Sequence, residues 1–217
     1  MTRWRWRQET EPGTPDGNMA ADAALLAEVR DGASPIVRVY AWDRPCVSIG
    51  RLQDEAVVRT AYPDLPLVRR PTGGRAVRHG DDLTISVAAR LGDLPAPGGS
   101  GVSATYRLIA GGVMDALCAL GVPAEFGAAD GRSSSGVDCF ATACRCDIVD
   151  RRTGRKLVGC AQRRECDALL QQMSLPLVNI PNPAAFPALI RRYLAARTSV
   201  SAWMDVQDAR VIGKGGP

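Results

Sequence analysis

Short runs of alternating apolar and polar residues occupy the middle of the chain, and runs with apolar positions three and four apart flank them. At the start, Trp4 and Trp6 alternate with arginines, the pattern of an opening strand. Asn18 reads as the N-cap of a helix to about Arg30, with Met19, Ala23, Leu26 and Val29 on one face and Gly32 beyond its end. Ile36 to Trp42 and Cys46 to Ile49 alternate as strands around a turn at Asp43-Arg44-Pro45, and a short helix starts at Asp54. Leu83 to Val87 is a further strand, and Leu91 to Gly101, rich in Pro and Gly, is a loop. Ser103 reads as the cap of an amphipathic helix to Leu120, with Leu108, Ile109, Val113 and Leu117 inward and Gly121 at its C-terminal end. Gly127 to Gly136 is a polar loop. Cys146 to Val149 and Lys156 to Gln162 form a hairpin around Asp150 to Gly154, and Ala168 to Leu177 is another strand. Ala184 to Ala196 is the last helix before a frayed tail, Val211 to Pro217. This order predicts an α+β fold with a mixed, largely antiparallel sheet flanked by helices.

One stretch organises the rest: Leu67 to Ala89, which reads LVRRPTGGRAVRHGDDLTISVAA. Two consecutive glycines sit between segments that read as strands, where a backbone needs positive φ or must let another molecule lie against it. Arg69, Arg70, Arg75 and Arg78 crowd the same turn, so a negatively charged or carbonyl-bearing ligand is a natural guest. The plainer alternative is a Gly-Gly hairpin with solvated arginines.

Composition narrows the function classes. The 217 residues suit one domain with a real core, and 46% hydrophobic residues with mixed charges describe a soluble globular chain. There is no apolar run long enough to span a membrane, and the basic start lacks an apolar segment of the signal-peptide kind. A net charge of +4, spread rather than striped, falls short of a nucleic-acid footprint. Seven cysteines without a secretory signal point to a reducing, cytoplasmic setting. Clusters at Cys139, Cys144 and Cys146 and at Cys160 and Cys166 make zinc a minority reading, because no C-x-x-C pair accompanies them.

Three side chains carry candidate chemistry. Cys139 follows the polar loop, where a substrate can reach it. To attack, it must be a thiolate, which calls for a nearby cation. Only Lys156 and Lys214 are lysines among 27 basic residues, and the hairpin folds Lys156 back towards Cys139. The bland readings are a small buried hydrophobe for Cys139 and an exposed turn residue for Lys156. His79, the sole histidine, serves either as an acid–base group or as an orienter of the loop, the latter favoured.

Taken together, Arg69 to His79, Asp82-Leu-Thr-Ile-Ser86 and Arg155-Lys-Leu-Val-Gly-Cys-Ala-Gln-Arg-Arg164 resemble the lipoate–protein ligase and octanoyltransferase family, which shares its catalytic domain with biotin–protein ligases. Asn18-Met19, Tyr40-Ala-Trp42 and Val47-Ser-Ile-Gly50 with Gln53 extend the likeness, which covers roughly Trp4 to Leu177. The chain is most similar to the cysteine-dependent, ligase-like octanoyltransferases. These carry Arg-Arg-Pro-Thr-Gly-Gly-Arg-Ala-Val, as in Arg69 to Val77, and a Cys-Phe pair, as in Cys139-Phe140. The resemblance implies a single biotin/lipoate-ligase-like catalytic domain over residues 1–217. It implies Cys139 as acyl-thioester nucleophile, with Lys156 activating it and contacting the acyl carbonyl. Gly73, Gly74 and Ala76 would line one wall of the acyl channel, and Gly159, Ala161 and Gln162 the other. Arg70, Thr72, Arg75, Val77 and His79 complete the implied substrate-binding set. An octanoyl or lipoyl group would pass from the thioester of an acyl carrier protein to a lysine of a lipoyl domain or a glycine-cleavage H-like protein. That route needs no cofactor, nucleic acid or membrane.

Two other readings stay open. In an ATP-dependent lipoate ligase, using ATP and Mg, Lys156 would bind the adenylate. In a catalytically impaired member, the chain would only bind acyl groups or lipoyl domains. Gln172-Met173 stand where the family commonly has His-Gly, so the methionine is expected to shorten or plug the acyl pocket. Cys144-Arg145-Cys146 replace a Pro-Ser-aromatic type of sequence, and the chain is short beyond about residue 177.

Overall fold

In the computed structural model, which describes residues 3–95, 101–128, 137–141 and 143–206, the opening Arg-Trp alternation forms strand β1, Arg3–Gln8, with Trp4 and Trp6 turned into the core. Helix α1, Pro15–Arg30, begins earlier than Asn18 because Thr14 caps it, accepting from the Gly17 amide, and Pro15 fills the first turn. Asn18 instead lies buried within the helix, tying it to the chain around it through the Gly13 and Ala41 carbonyls. Ala23 faces solvent, and Asp22 and Leu25 take the inward positions.

Strands β2, Ile36–Tyr40, and β3, Cys46–Ile49, do not pair with each other, because they enter different sheets. Helix α2, Glu55–Ala61, is capped by Asp54 and precedes β4, Leu67–Arg69, and β5, Val77–His79. Then come β6, Asp82–Arg90, and helix α3, Val102–Ala119. Gly101 holds the N-cap position of α3 with no side-chain hydrogen bond, and Ser103 is exposed inside the first turn. The expected reversal at Gly121 is present, with φ +81°. Strands β7, Ala124–Phe126, β8, Ile148–Asp150, β9, Lys156–Glu165, and β10, Ala168–Pro176, follow. Helix α4, Phe186–Thr198, and β11, Ala202–Asp205, close the described chain. Most of the predicted Gly127–Gly136 loop and the predicted tail lie outside the described residues.

The large sheet runs β11-β1-β2-β6-β10-β9-β8-β7. It is antiparallel except where β1 pairs in parallel with β2 and β11. The mixed, mostly antiparallel sheet with flanking helices is therefore the α+β architecture the pattern predicts. One face carries α3 and α4 over the main core, including Ile85, Val87, Ile109, Val113, Leu169 and Met173. Gly112 lets the two helices close up, since a Cβ there would lie 2.7 Å from Leu194. The other face carries α1, with Leu25, Leu26 and Val29 against Ala88 and Leu170. Each fully buried aliphatic side chain contributes about 2 kcal/mol.

A second sheet, β4-β3-β5, stands beside α1. The glycine turn is therefore not a hairpin: β4 and β5 flank β3, and the chain crosses over it to reach the far side. Gly50 permits that crossing, because a Cβ there would collide with the Gly74 carbonyl. Among the described residues, no helix is long and apolar enough to cross a membrane.

Candidate active site

The turn is built by its own arginine. Arg70, 5% exposed, folds back so that Nη2 donates to the Gly73 and Arg75 carbonyls, both at 2.6 Å, and Nη1 donates to the Ser48 carbonyl at 2.8 Å. Burial pulls its pKa down to about 10, against the opposing effect of the neighbouring Cys139 sulfur. Arg69 likewise spends its fork on the Gly50, Arg51 and Gln53 carbonyls. Arg69 Nη2 also pairs with Glu55 at 3.6 Å, so two of the four crowded arginines are committed within the fold. Gly74, at φ +89°, supplies the conformation a side chain would resist.

The end of the turn seats the nucleophile candidate. The Cys139 amide donates to the Ala76 carbonyl at 2.8 Å, and the Ala76 amide donates to the Val137 carbonyl at 3.1 Å. Asp138 accepts from the Phe140 amide at 2.8 Å and from the Tyr62 hydroxyl at 3.3 Å. Cys139 therefore starts a short 3-10 turn, Cys139–Ala141, and is a half-buried residue.

Lys156, the first residue of β9, is 6% exposed and not a solvated turn residue. Its Nζ lies 3.2 Å from the Cys139 sulfur, 2.9 Å from the Cys139 carbonyl and 2.8 Å from Asp147 Oδ2. An ammonium has three donors, and all three are engaged. Burial alone would depress this amine, but the Cys139 sulfur and the Asp147 carboxylate outweigh it and hold its pKa above the ordinary lysine value. Asp147 is fixed in turn by the Cys144 amide at 2.7 Å and the Cys160 amide at 3.1 Å. Pattern reading missed Asp147. The nearest signal is its place directly before an apolar strand, but Asp150 three residues on is an equal candidate by sequence. A register shift at Ile148/Val149 decides between them.

From Cys139 a narrow, mainly apolar cavity runs inward. Its walls include Met19, Trp42, Val77, His79, Gly159 and Ala161. Of the predicted binding residues, Arg70, Val77, His79, Gly159 and Ala161 reach this lining. Thr72, Gly73, Gly74, Arg75, Ala76 and Gln162 do not. Thr72 sits behind the wall and donates to Gln172 at 2.6 Å, while Gln162 is turned to Gln171 at 2.9 Å.

His79 is an orienter in this geometry. It stacks on Trp42 with centroids 3.9 Å apart and lies between Asp82 and Ser48, 2.8 Å from each. Burial would raise the Asp82 carboxyl, but His79, the Ser174 hydroxyl and the Gly80 amide reverse this and hold it below the usual aspartate range. An ionised Asp82 can only accept, so Nδ1 carries the proton and Nε2 faces the Ser48 hydroxyl. Ser48 also takes a hydrogen bond from Arg70 at 3.2 Å. The chain Asp82–His79–Ser48–Arg70 thus braces the glycine turn from below.

Met173 does not plug the cavity. It borders the lining from β10, but strand alternation sends its side chain to the α3 and α4 side, with its sulfur 3.5 Å from Gln171 Nε2. Gln172 takes the cavity side, bridging Thr72 Oγ1 and Asp22 Oδ2, the latter at 2.7 Å. Among the described residues, no three His, Cys, Asp or Glu side chains gather as a metal site requires.

This fold and site define a class. The chain belongs to the lipoyl protein ligase A/B catalytic-domain family, whose model matches residues 14–196. Within that class it is similar to the octanoyltransferase LipM of Symbiobacterium thermophilum, 34% identical over 98% of this chain and 85% of that protein. It is also similar to the octanoyltransferase LipM of Moorella thermoacetica, 40% identical over 79% of this chain and 65% of that one. In fold it is similar to a lipoate-protein ligase A bound with ATP, at 19% identity and TM-score 0.72, covering 96% of this chain and 89% of that one. A bipartite lipoate protein ligase from Thermoplasma acidophilum gives TM-score 0.65 at 18% identity, over 96% and 87% of the two chains.

Proposed function

We propose that this chain is an octanoyltransferase of protein lipoylation, a single catalytic domain working through a cysteine acyl-enzyme. The observation that carries the reading is the 3.2 Å approach of the Lys156 ammonium to the Cys139 sulfur beside an apolar cavity. The cavity takes the acyl chain, and the sulfur, as thiolate, attacks the thioester carbonyl of the donor. The C–S bond to the carrier breaks, the carrier leaves as its thiolate and takes a proton from solvent, and Cys139 carries the acyl group. Once its charge is spent in the new thioester, the sulfur no longer competes for the ammonium. One Lys156 donor is then free for the carbonyl oxygen of the next tetrahedral intermediate. The ε-amine of an acceptor lysine, as the free base, attacks; the C–S bond breaks as the amide forms, the proton lost from the amine passes to solvent, and Cys139 leaves as the thiolate paired again with Lys156. Thioester to amide is downhill, so the route uses no ATP.

The donor is a carrier-protein thioester and the acceptor a lipoyl domain, and the cysteine usage supports a cytoplasmic setting. Incubation with octanoyl-acyl carrier protein, without ATP, tests the reading by intact mass. The expected result is an octanoyl adduct that disappears in Cys139→Ser and is discharged by a lipoyl domain. Transfer that persists in Cys139→Ser, or that requires ATP and free acid, would favour the ligase reading instead.

A further inference from the structure

Lys156 borders a second, more open cavity that shares no described lining residue with the acyl pocket. Its walls come from three separated parts of the chain: Arg78 on β5, Asp138 and Phe140 beside the nucleophile, and Arg155 with Pro176, Val178 and Asn179. Phe140 and Lys156 stand where it meets the reaction centre. The Lys156 ammonium lies 5.3 Å over the Phe140 ring. Cys139 lines the first cavity, and its chain neighbours Asp138 and Phe140 line the second.

We infer that this second cavity binds the phosphate-bearing arm of the thioester donor, the part of the substrate that departs with the thiol. The inference rests on the transferase reading and extends it to the non-acyl half of the donor. Charge is the first argument. Arg78 and Arg155 are both exposed and stand as two cations against one carboxylate among the described lining residues, while Lys156 is already paired with Asp147. That carboxylate, Asp138, is already committed to the Phe140 amide and the Tyr62 hydroxyl. Preorganisation is the second. Asn179, 6% exposed, accepts from Arg155 Nη2 at 2.9 Å and is itself anchored through Nδ2 to the Leu157 carbonyl at 3.2 Å. A buried amide thus aims a surface guanidinium, and planar guanidinium forks match phosphate oxygens. Val178, 83% exposed, offers an apolar contact in the same wall. A thioester whose thiol sits on a long polar arm ending in a phosphodiester fits this order: acyl chain inward, reacting carbonyl at Cys139 and Lys156, phosphate at the arginines.

The test is the rate of Cys139 acylation, read by intact mass, from octanoyl-phosphopantetheine and from octanoyl-pantetheine, which lacks the phosphate. The wild-type chain is expected to prefer the phosphorylated donor by roughly tenfold, the scale of one charge-assisted hydrogen bond at a partly solvated site. In Arg78→Ala and in Arg155→Ala that preference falls towards one, and Arg78→Lys and Arg155→Lys recover part of it. A preference unchanged in both alanine variants overturns the assignment while leaving the transferase reading intact. Variants that instead raise only the KM for the acceptor protein overturn it too, giving the cavity to the acceptor. If neither donor acylates the wild-type cysteine, the transferase reading itself fails and the inference falls with it.

Discussion

Two buried polar clusters lie on either side of the glycine turn, and they differ in one respect. Around Asp22 every group is committed to the scaffold. Its carboxylate accepts from Arg38 at 2.9 Å, Tyr40 at 2.8 Å, Ser86 at 2.6 Å and Gln172 at 2.7 Å. Arg38 adds Glu9 at 2.6 Å and the Asn18 side chain at 2.8 Å. Asp22 is 0% and Arg38 1% exposed. Around Lys156, by contrast, Asp147 and the ammonium are equally buried, but the third member is a sulfur open to a cavity. The first cluster borders the acyl cavity through Tyr40 and Gln172, but Asp22 ties both down, so it holds the wall in place. The second keeps one partner that a substrate can engage, and so can do chemistry. A buried pair alone does not mark a site; a buried pair with one open partner does.

Breaking the closed cluster is the harshest test of that contrast. Asp22→Ala strands the Arg38 guanidinium and should cost about 3–5 kcal/mol in chemical denaturation. The folded fraction should still acylate at Cys139, because Asp22 does not line the cavity itself and meets it through the Tyr40 and Gln172 side chains. Next comes Asp82→Asn, expected to cost about 2 kcal/mol near neutral pH through its buried hydrogen bonds. Asp82 has a pKa depressed below the ordinary 3.8. Its stabilisation is therefore full above that value and lost as pH falls through the lower folded one. The variant should accordingly show a shallower loss of stability below about pH 4 in acid titrations.

A smaller effect falls on the open cluster. In Asp147→Asn transfer should slow about tenfold, with the alkaline limb of its pH–rate profile moved to lower pH, because Asp147 helps hold the Lys156 pKa up. A limb that stays in place would detach Asp147 from the ammonium. Smallest is Met173→Leu, expected to cost at most about 1 kcal/mol and to leave acyl-chain preference unchanged. A preference shifted by two or more carbons would return Met173 to the acyl pocket.

Much of this was legible in the chain itself, for identifiable reasons. Strands β9 and β10 are long, so their apolar runs declared them, and β3 was read with its observed bounds. Strands β7 and β11 are not legible, because Ala124–Phe126 is only three residues long and Ala-Trp-Met-Asp in β11 does not alternate, so pairing with β8 and β1 alone makes them strands. Asn18 was mistaken for a cap because Thr14-Pro15, the better signature, lies in a Gly- and Pro-rich run that reads as loop. Cys139 and Lys156 could be paired from the hairpin between them. Ser48 and Asp147 could not, since their roles depend on which strand passes beneath the turn and on a bulge. The side of β10 that Met173 occupies was set by counting alternation from Gln172, which needs the position of α1.

The central claim is that the Lys156 ammonium activates the Cys139 sulfur, and alkylation by iodoacetamide near neutral pH measures it most directly. Burial pushes Cys46 up to about 12 and raises Cys160 well above the usual thiol range, so both should stay unlabelled. Cys139 should react ahead of the exposed Cys118, Cys144 and Cys166, and should slow about tenfold in Lys156→Ala while Cys118 and Cys166 keep their rates. Equal labelling of Cys139 in the wild-type chain and in Lys156→Ala would contradict the account.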